Sequence, residues 1–190
     1  CWPYTGHCAH YTFVNCNKWK IGCYDCIQKN VYPASFLADN SRKNYWFKKE
    51  IVSGVENLTI TTVSHWLKNE VKKSFLNHYD VRVIANGIDL KVFQPRESDF
   101  RQKYRLENKT ILLGVASIWN DRKGLWLFNE LAVRLDDTYK IVLVGITNKQ
   151  RKLLSSNILT ISRTNHIKEL AEIYSAADIF LNPSIEETFG

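Results

Sequence analysis

Ile111-Leu112-Leu113-Gly114-Val115-Ala116 and Tyr139-Lys140-Ile141-Val142-Leu143-Val144-Gly145 decide the fold. Each run is short and almost continuously apolar, the pattern of a strand covered on both faces. Between them Leu127, Leu131 and Leu135 recur every fourth residue, which predicts a helix over about 124–135. A charged helix is expected near 147–155, then the strand Ile158-Leu159-Thr160-Ile161. A helix from Ile167 to Ala177 follows, with Leu170, Ile173 and Tyr174 on one side, and Ile179-Phe180-Leu181 is the fourth strand. The order β-α-β-α-β-α-β predicts an α/β unit whose parallel sheet carries helices on both faces, with right-handed connections.

Working back towards the start, Val81-Arg82-Val83-Ile84-Ala85 and Leu58-Thr59-Ile60-Thr61-Thr62-Val63 read as two more strands. Ser64 suits the N-cap of a helix over about 65–78, buried along Leu67, Val71 and Phe75. Asn86-Gly87 breaks the strand at 81–85, and Gly87 can take the positive φ that a turn requires. The composition changes near 86–95, which places a domain boundary there. Residues 39–53 read as a basic amphipathic helix carrying Arg42, Lys43, Lys48 and Lys49, and residues 1–35 as an aromatic, loop-rich segment.

The chain has 190 residues, 45% of them apolar and 24% charged, a globular composition. No apolar run approaches the ~20 residues of a membrane span. Twelve basic and seven acidic residues in 1–95 give +5, and fourteen against twelve in 96–190 give +2, together the net +7. This excess points to an anionic partner: phosphate, nucleic acid or lipid headgroups. On the basic helices it reads either as a surface facing an anionic membrane or as an ordinary solvated face. The first fifteen residues lack the pattern of a signal peptide. There is no Met, and the sequence stops just after a strand, so it reads as an internal piece of a longer protein.

All five cysteines lie in residues 1–26. Cys23 and Cys26 form a C-x2-C pair, and with Cys8 and Cys16 they would complete a four-sulfur shell around a structural zinc ion. His7 and His10 are nearby substitutes. Disulfides and inert buried thiols are the competing readings. Four sulfurs would leave no open position for catalysis by the metal.

In open parallel sheets ligands bind beyond the carboxyl ends of the strands. Three loops leave such ends here. Ser117 to Gly124 carries Arg122 and Lys123 before a helix start, a seat for an anion. Ser162-Arg163 offers backbone for a base edge and a cation. Asn182 to Gly190 carries Glu186 and Glu187, carboxylates suited to sugar hydroxyls. The Walker and dinucleotide-binding glycine patterns are absent, which argues against a P-loop ATPase and an ordinary dehydrogenase.

These residues together resemble family-4 glycosyltransferases. Asn182-Pro183-Ser184-x-x-Glu187-Thr188-Phe189-Gly190, led in by Tyr174-Ser175-Ala176-Ala177-Asp178, is similar to the family's donor-site signature. Lys123-Gly124 resembles its phosphate-binding pair. Val83-Ile84-x-Asn86-Gly87-Ile88-Asp89 with Phe93 and Pro95 resembles its inter-domain segment. Cys1-Trp2-Pro3-Tyr4-Thr5-Gly6-His7-Cys8 resembles the opening of a surface-polysaccharide subgroup with a Cys-rich insertion.

The resemblance implies the GT-B architecture, two Rossmann-like domains across a cleft. Residues 1–88 would be the later part of the acceptor domain, with its Cys-rich segment 1–35, and 89–190 the first part of the nucleotide-sugar domain. It implies a cytoplasmic location and retaining transfer from a UDP- or GDP-sugar to a glycan or lipid-linked acceptor, without a catalytic metal. Lys123 would neutralise the departing diphosphate, and Glu187 would contact the donor sugar. Arg122 and Glu186 flank these two; Phe189 and Gly190 would lie near the sugar, and Ser162 and Arg163 near the base. The family's arginine five residues before the lysine is Ile118 here, and the second paired glutamate would lie beyond Gly190. The chain as given is therefore expected to be inactive alone. A nucleotide-sugar epimerase of the same fold and a basic nucleic-acid module are the rival readings, with nucleic acid the less favoured partner.

Overall fold

A computed structural model describes residues 2–35 and 37–188. The chain divides into two compact units: residues 1–87 with 186–190, and residues 88–185.

Unit 1 contains α1 (Ser41–Ser53), β1 (Thr59–Thr62), α2 (His65–Lys72) and β2 (Asp80–Val83). The two strands pair in parallel, from Thr59 opposite Asp80 to Thr62 opposite Val83. Ser64 caps α2 as its sequence position predicts, its hydroxyl accepting the N–H of Leu67 at 3.2 Å. The helix is shorter than the periodicity suggests. At Ser74 the hydroxyl donates to the carbonyl of Val71 (2.6 Å) and accepts the N–H of Leu76 (3.1 Å), so a side chain competes for backbone groups that would extend the helix.

The loop-rich start of unit 1 is held by aromatic side chains. Tyr4, Tyr11 and Trp19 are almost wholly buried, with both tyrosine rings within about 5 Å of the indole (5.1 and 4.8 Å). They pack against Val71, Leu76, Tyr79 and Val81. The Lys48 ammonium donates to the carbonyls of Trp2 (3.1 Å) and Thr5 (2.8 Å), tying the loop to α1. Gly6 runs so close to α1 that a Cβ there would meet the Ser41 carbonyl oxygen at 2.0 Å.

Unit 2 contains α3 (Phe100–Tyr104), β3 (Thr110–Val115), α4 (Leu125–Arg134), β4 (Tyr139–Val144), α5 (Asn148–Arg151), β5 (Ile158–Ile161), α6 (Ile167–Ala176) and β6 (Ile179–Phe180). Its four strands are all parallel, in the order β5-β4-β3-β6. The pleat divides β3 between two cores. Ile111 and Leu113 meet Phe100, Leu106 and Ile173, whereas Leu112 meets Trp119, Phe128 and Ala132. Gly114 is a packing requirement: a Cβ would sit 2.6 Å from the Phe128 ring. On α4 it is Phe128 and Ala132 that are buried, with Leu127, Leu131 and Leu135 half-buried beside them.

The expectation of strands covered on both faces holds for β3 and β4. It fails for β6, where Ile179 and Phe180 are about half exposed, because β6 pairs with β3 alone. Gly87 is not at positive φ: among the described glycines only Gly124 and Gly145 are, and no regular element covers residues 84–89. The charged helix near 147–155 contracts to the single capped turn of α5. Asp178 locks β6 to β3 and α3, its Oδ2 accepting the Ile111 N–H and the Arg101 guanidinium, each at 2.7 Å. Partial burial works against its charge, but these two donors outweigh that and hold the carboxyl below its ordinary range.

Candidate functional site

The strand order of unit 2 puts a switch point between β3 and β6. From β3 the chain moves through β4 to β5 on one side, then returns to place β6 on the other. A crevice opens at such a point beyond the carboxyl ends of the two strands. The loops that leave those ends are 116–124 and 181–185.

The first loop is built from below by Trp119. Its indole is 4% exposed and donates to the carbonyl of Val144 at 2.7 Å, edge-on to Phe128. Asn120 then caps one 3-10 turn, Asp121–Lys123, by accepting the Lys123 N–H at 3.1 Å. Gly124 breaks that turn in the left-handed region (φ 69°), and α4 begins at Leu125 with no side chain capping it. The helix thus starts just after Gly124, within the expected start. Its first-turn N–H groups and partial positive charge stand directly after Lys123.

The second loop touches the first. The Ile185 N–H donates to the Arg122 carbonyl at 2.9 Å. Pro183 lies so close to Gly124 that a Cβ on Gly124 would meet the Pro183 carbonyl oxygen at 2.8 Å. Two motifs about sixty residues apart thus form one backbone-to-backbone contact at the switch point. Arg122 and Lys123 are both half-exposed.

Glu186 and Glu187 continue from Ile185 into the tail that belongs to unit 1. There Glu186 is nearly buried (side chain 6% exposed), with Oε2 at 3.5 Å from Nδ1 of His10. Two residues on, the Thr188 carbonyl accepts the Ser64 hydroxyl at 2.7 Å. Glu187, between these anchors, is half-buried. Close by, the Tyr4 and Tyr11 hydroxyls lie 2.9 Å apart, and Tyr11 donates to Glu70 at 3.3 Å. Burial first, with the charges of Glu70 and Glu186 adding to it, pushes the Tyr4 hydroxyl up to about 12. Phe189 and Gly190 lie outside the described residues.

Ser162 and Arg163 are exposed at the end of β5, which β4 separates from β3. Two residues escaped the sequence reading. Gly145 ends β4 at φ 90°, where a Cβ would stand 1.9 Å from the Ala116 carbonyl oxygen. Its signal was a lone glycine closing an apolar run. Trp119 gave a weaker one, a large aromatic inside a polar loop.

Cys8, Cys16, Cys23 and Cys26 are free thiols in or against one hydrophobic cluster. The Gly6 N–H donates to the Cys23 sulfur at 3.1 Å. Burial first, then the neighbouring thiols, pushes Cys8 up to about 12. Among the described residues no three His, Cys, Asp or Glu side chains converge closely enough to hold a metal ion as they stand.

No family model and no curated protein matches the sequence. Solved structures do match. Sucrose-phosphate synthase from Thermosynechococcus elongatus superposes with a TM-score of 0.63 at 21% identity, over 86% of this chain and 43% of that one. HepE from Anabaena, in complex with UDP and glucose, gives 0.58 at 16% identity, over 78% and 44%. A trehalose-6-phosphate synthase structure gives 0.56 at 11% identity, over 77% and 43%. These neighbours are GT-B glycosyltransferases, and the α/β fold with parallel sheets is shared with them. The chain spans less than half the length of each.

Proposed function

We propose that this chain carries the donor-side machinery of a retaining glycosyltransferase that uses a nucleotide-diphosphate sugar. One observation carries the reading: the turn Arg122-Lys123-Gly124 and the segment Pro183–Ile185 touch at the switch point of unit 2. A diphosphate seated there would meet the Lys123 cation and the uncapped start of α4, both placed before any charge develops. As the sugar leaves the diphosphate, that charge would be stabilised without a metal. Glu187 would contact the sugar, with Arg122, Glu186, Phe189 and Gly190 around it, and Ser162 and Arg163 would border the base. On this reading residues 1–88 belong to an acceptor domain and 89–190 to a nucleotide-sugar domain.

HepE binds UDP and UDP-glucose, and trehalose-6-phosphate synthase is an enzyme of glycosyl transfer with retention; both lend support. The proposed acceptor is a lipid-linked or growing surface polysaccharide at the cytoplasmic face of the membrane. The exposed Trp46 and Phe47 of α1 favour that placement, beside the Lys43 and Lys49 of the same helix. A structural zinc at Cys8, Cys16, Cys23 and Cys26 belongs to the same proposal. Its support is the shared cluster and the Gly6 N–H that donates to the Cys23 sulfur, and the side chains would have to close on a common point to bind it. Metal analysis of purified protein is expected to find one zinc per chain, and four freely titrating thiols with no metal would refute that element.

The decisive experiment is a thermal-shift and calorimetric screen of the complete enzyme against UDP-glucose, GDP-mannose, UDP and GDP. Binding of one nucleotide with its sugar, followed by acceptor-dependent turnover, is expected. Absence of any nucleotide binding would overturn the proposal, and consumption of donor without acceptor would point to an epimerase.

A further inference from the structure

Glu186 is an expensive residue where it stands. Its carboxylate is nearly buried, and Oε2 is fully enclosed without a hydrogen bond that meets strict geometry. A buried carboxylate left without a partner is strongly destabilising, because nothing in the interior replaces its lost hydration. The ring nitrogen Nδ1 of His10, at 3.5 Å, is the cationic or N–H-bearing group paired with it. His10 itself comes from the loop-rich segment that Tyr4, Tyr11 and Trp19 hold rigid.

The second fixed point is Ser64. Its hydroxyl has two tasks in opposite senses: it accepts the Leu67 N–H to start α2, and it donates to the Thr188 carbonyl. Because α2 is packed through Leu67 and Val71, the hydroxyl has a fixed position. The residue between the two fixed points is Glu187. With the side chain of 186 and the carbonyl of 188 both held, the peptide planes on either side of Glu187 have little freedom. All five residues lie within unit 1.

We infer that His10 and Ser64 are positioning residues that clamp Glu186 and Thr188, and thereby set the Glu187 carboxylate for the hydroxyls of the donor sugar. This rests on the function proposed above and adds to it two residues from the Cys-rich segment and the start of α2. Neither needs to touch the donor. Their effect is on where Glu187 is held, so it falls on the sugar and spares the nucleotide.

The test uses the complete enzyme and two probes for each base: UDP-glucose against UDP, and GDP-mannose against GDP. For His10→Leu, binding of the nucleotide sugar is expected to weaken about tenfold while binding of the bare nucleotide is unchanged. His10→Gln, which keeps an N–H donor, is expected to recover most of the loss. Ser64→Gly, which introduces a residue well tolerated at helix N-caps, is expected to show the same split between the two probes. Equal weakening towards sugar and bare nucleotide would reveal a merely structural role and overturn the inference. Unchanged binding of the nucleotide sugar in His10→Leu would overturn it too. Failure of the wild-type enzyme to bind any of the four probes would instead sink the functional reading beneath it, and the inference with it.

Discussion

Two irregular regions of this chain are held by different means. The loops at the switch point of unit 2 are fixed by backbone: a carbonyl of Arg122, an N–H of Ile185, a left-handed Gly124 against Pro183. The opening segment of unit 1 is fixed mainly by side chains, three buried aromatic rings, four thiols and the ammonium of Lys48, with Gly6 against α1 as a close backbone approach. Backbone contacts of the first kind demand particular residues, Gly and Pro, and leave a local signature. Side-chain contacts of the second kind demand only bulk and burial, and their partners come from anywhere in the unit.

The largest expected effect tests the side-chain half of that contrast. Trp19→Ala removes a side chain that is 1% exposed, and about 3–5 kcal/mol of stability should go with it. Urea unfolding of the complete protein measures this, and a loss under ~1 kcal/mol would mean that the segment is held by something other than its rings. Next comes Lys123→Ala, which should lower turnover of the complete enzyme at least ~10²-fold if that cation stabilises the departing diphosphate. Undiminished turnover would transfer the role to another residue.

Gly124→Ala is smaller and sharper. A left-handed φ costs an L-residue about 1–2 kcal/mol, and here the added methyl also meets Pro183. Donor affinity should fall along with stability; an alanine that binds donor normally would separate the backbone contact from the site. The smallest effect concerns pH. Asp178 has a depressed carboxyl pKa, so its contribution is complete above the unfolded value of about 3.9 and disappears as pH falls through the folded one. Asp178→Asn should therefore lose less stability than wild type between pH 5 and pH 3, by ~1 kcal/mol or less because the side chain is partly exposed. Parallel curves for the two proteins would remove Asp178 from the account.

Much of unit 2 was legible because strand and helix periods are local properties. The runs from Ile111 and from Tyr139 announced buried strands, and β3 and β4 are buried. Ser64 announced a helix start and caps one. Gly87 misled, since an Asn-Gly pair permits a turn without requiring it, and the backbone there takes no positive φ. The end of α2 was invisible for a related reason. Whether Ser74 bonds outward or back to Val71 depends on competition between a side chain and the helix, and spacing does not report it. Lys123 and Glu187 could be proposed from motif order, whereas His10 could be named only as a substitute metal ligand and not as a partner of Glu186. His10 stands between Ala9 and Tyr11 in a Cys-rich segment, and its partner Glu186 lies 176 positions away along the chain, at the far end.

The amino-acid order by itself determined the class of fold and the count of strands in unit 2. Only the tertiary structure decided that β6 lies beside β3, that Gly124 meets Pro183, and that Glu186 is buried against His10. Hydrophobic period and backbone propensity act over a few residues and are written locally. Close approach between distant segments is set by the packing of the whole unit, and no short stretch of sequence encodes it.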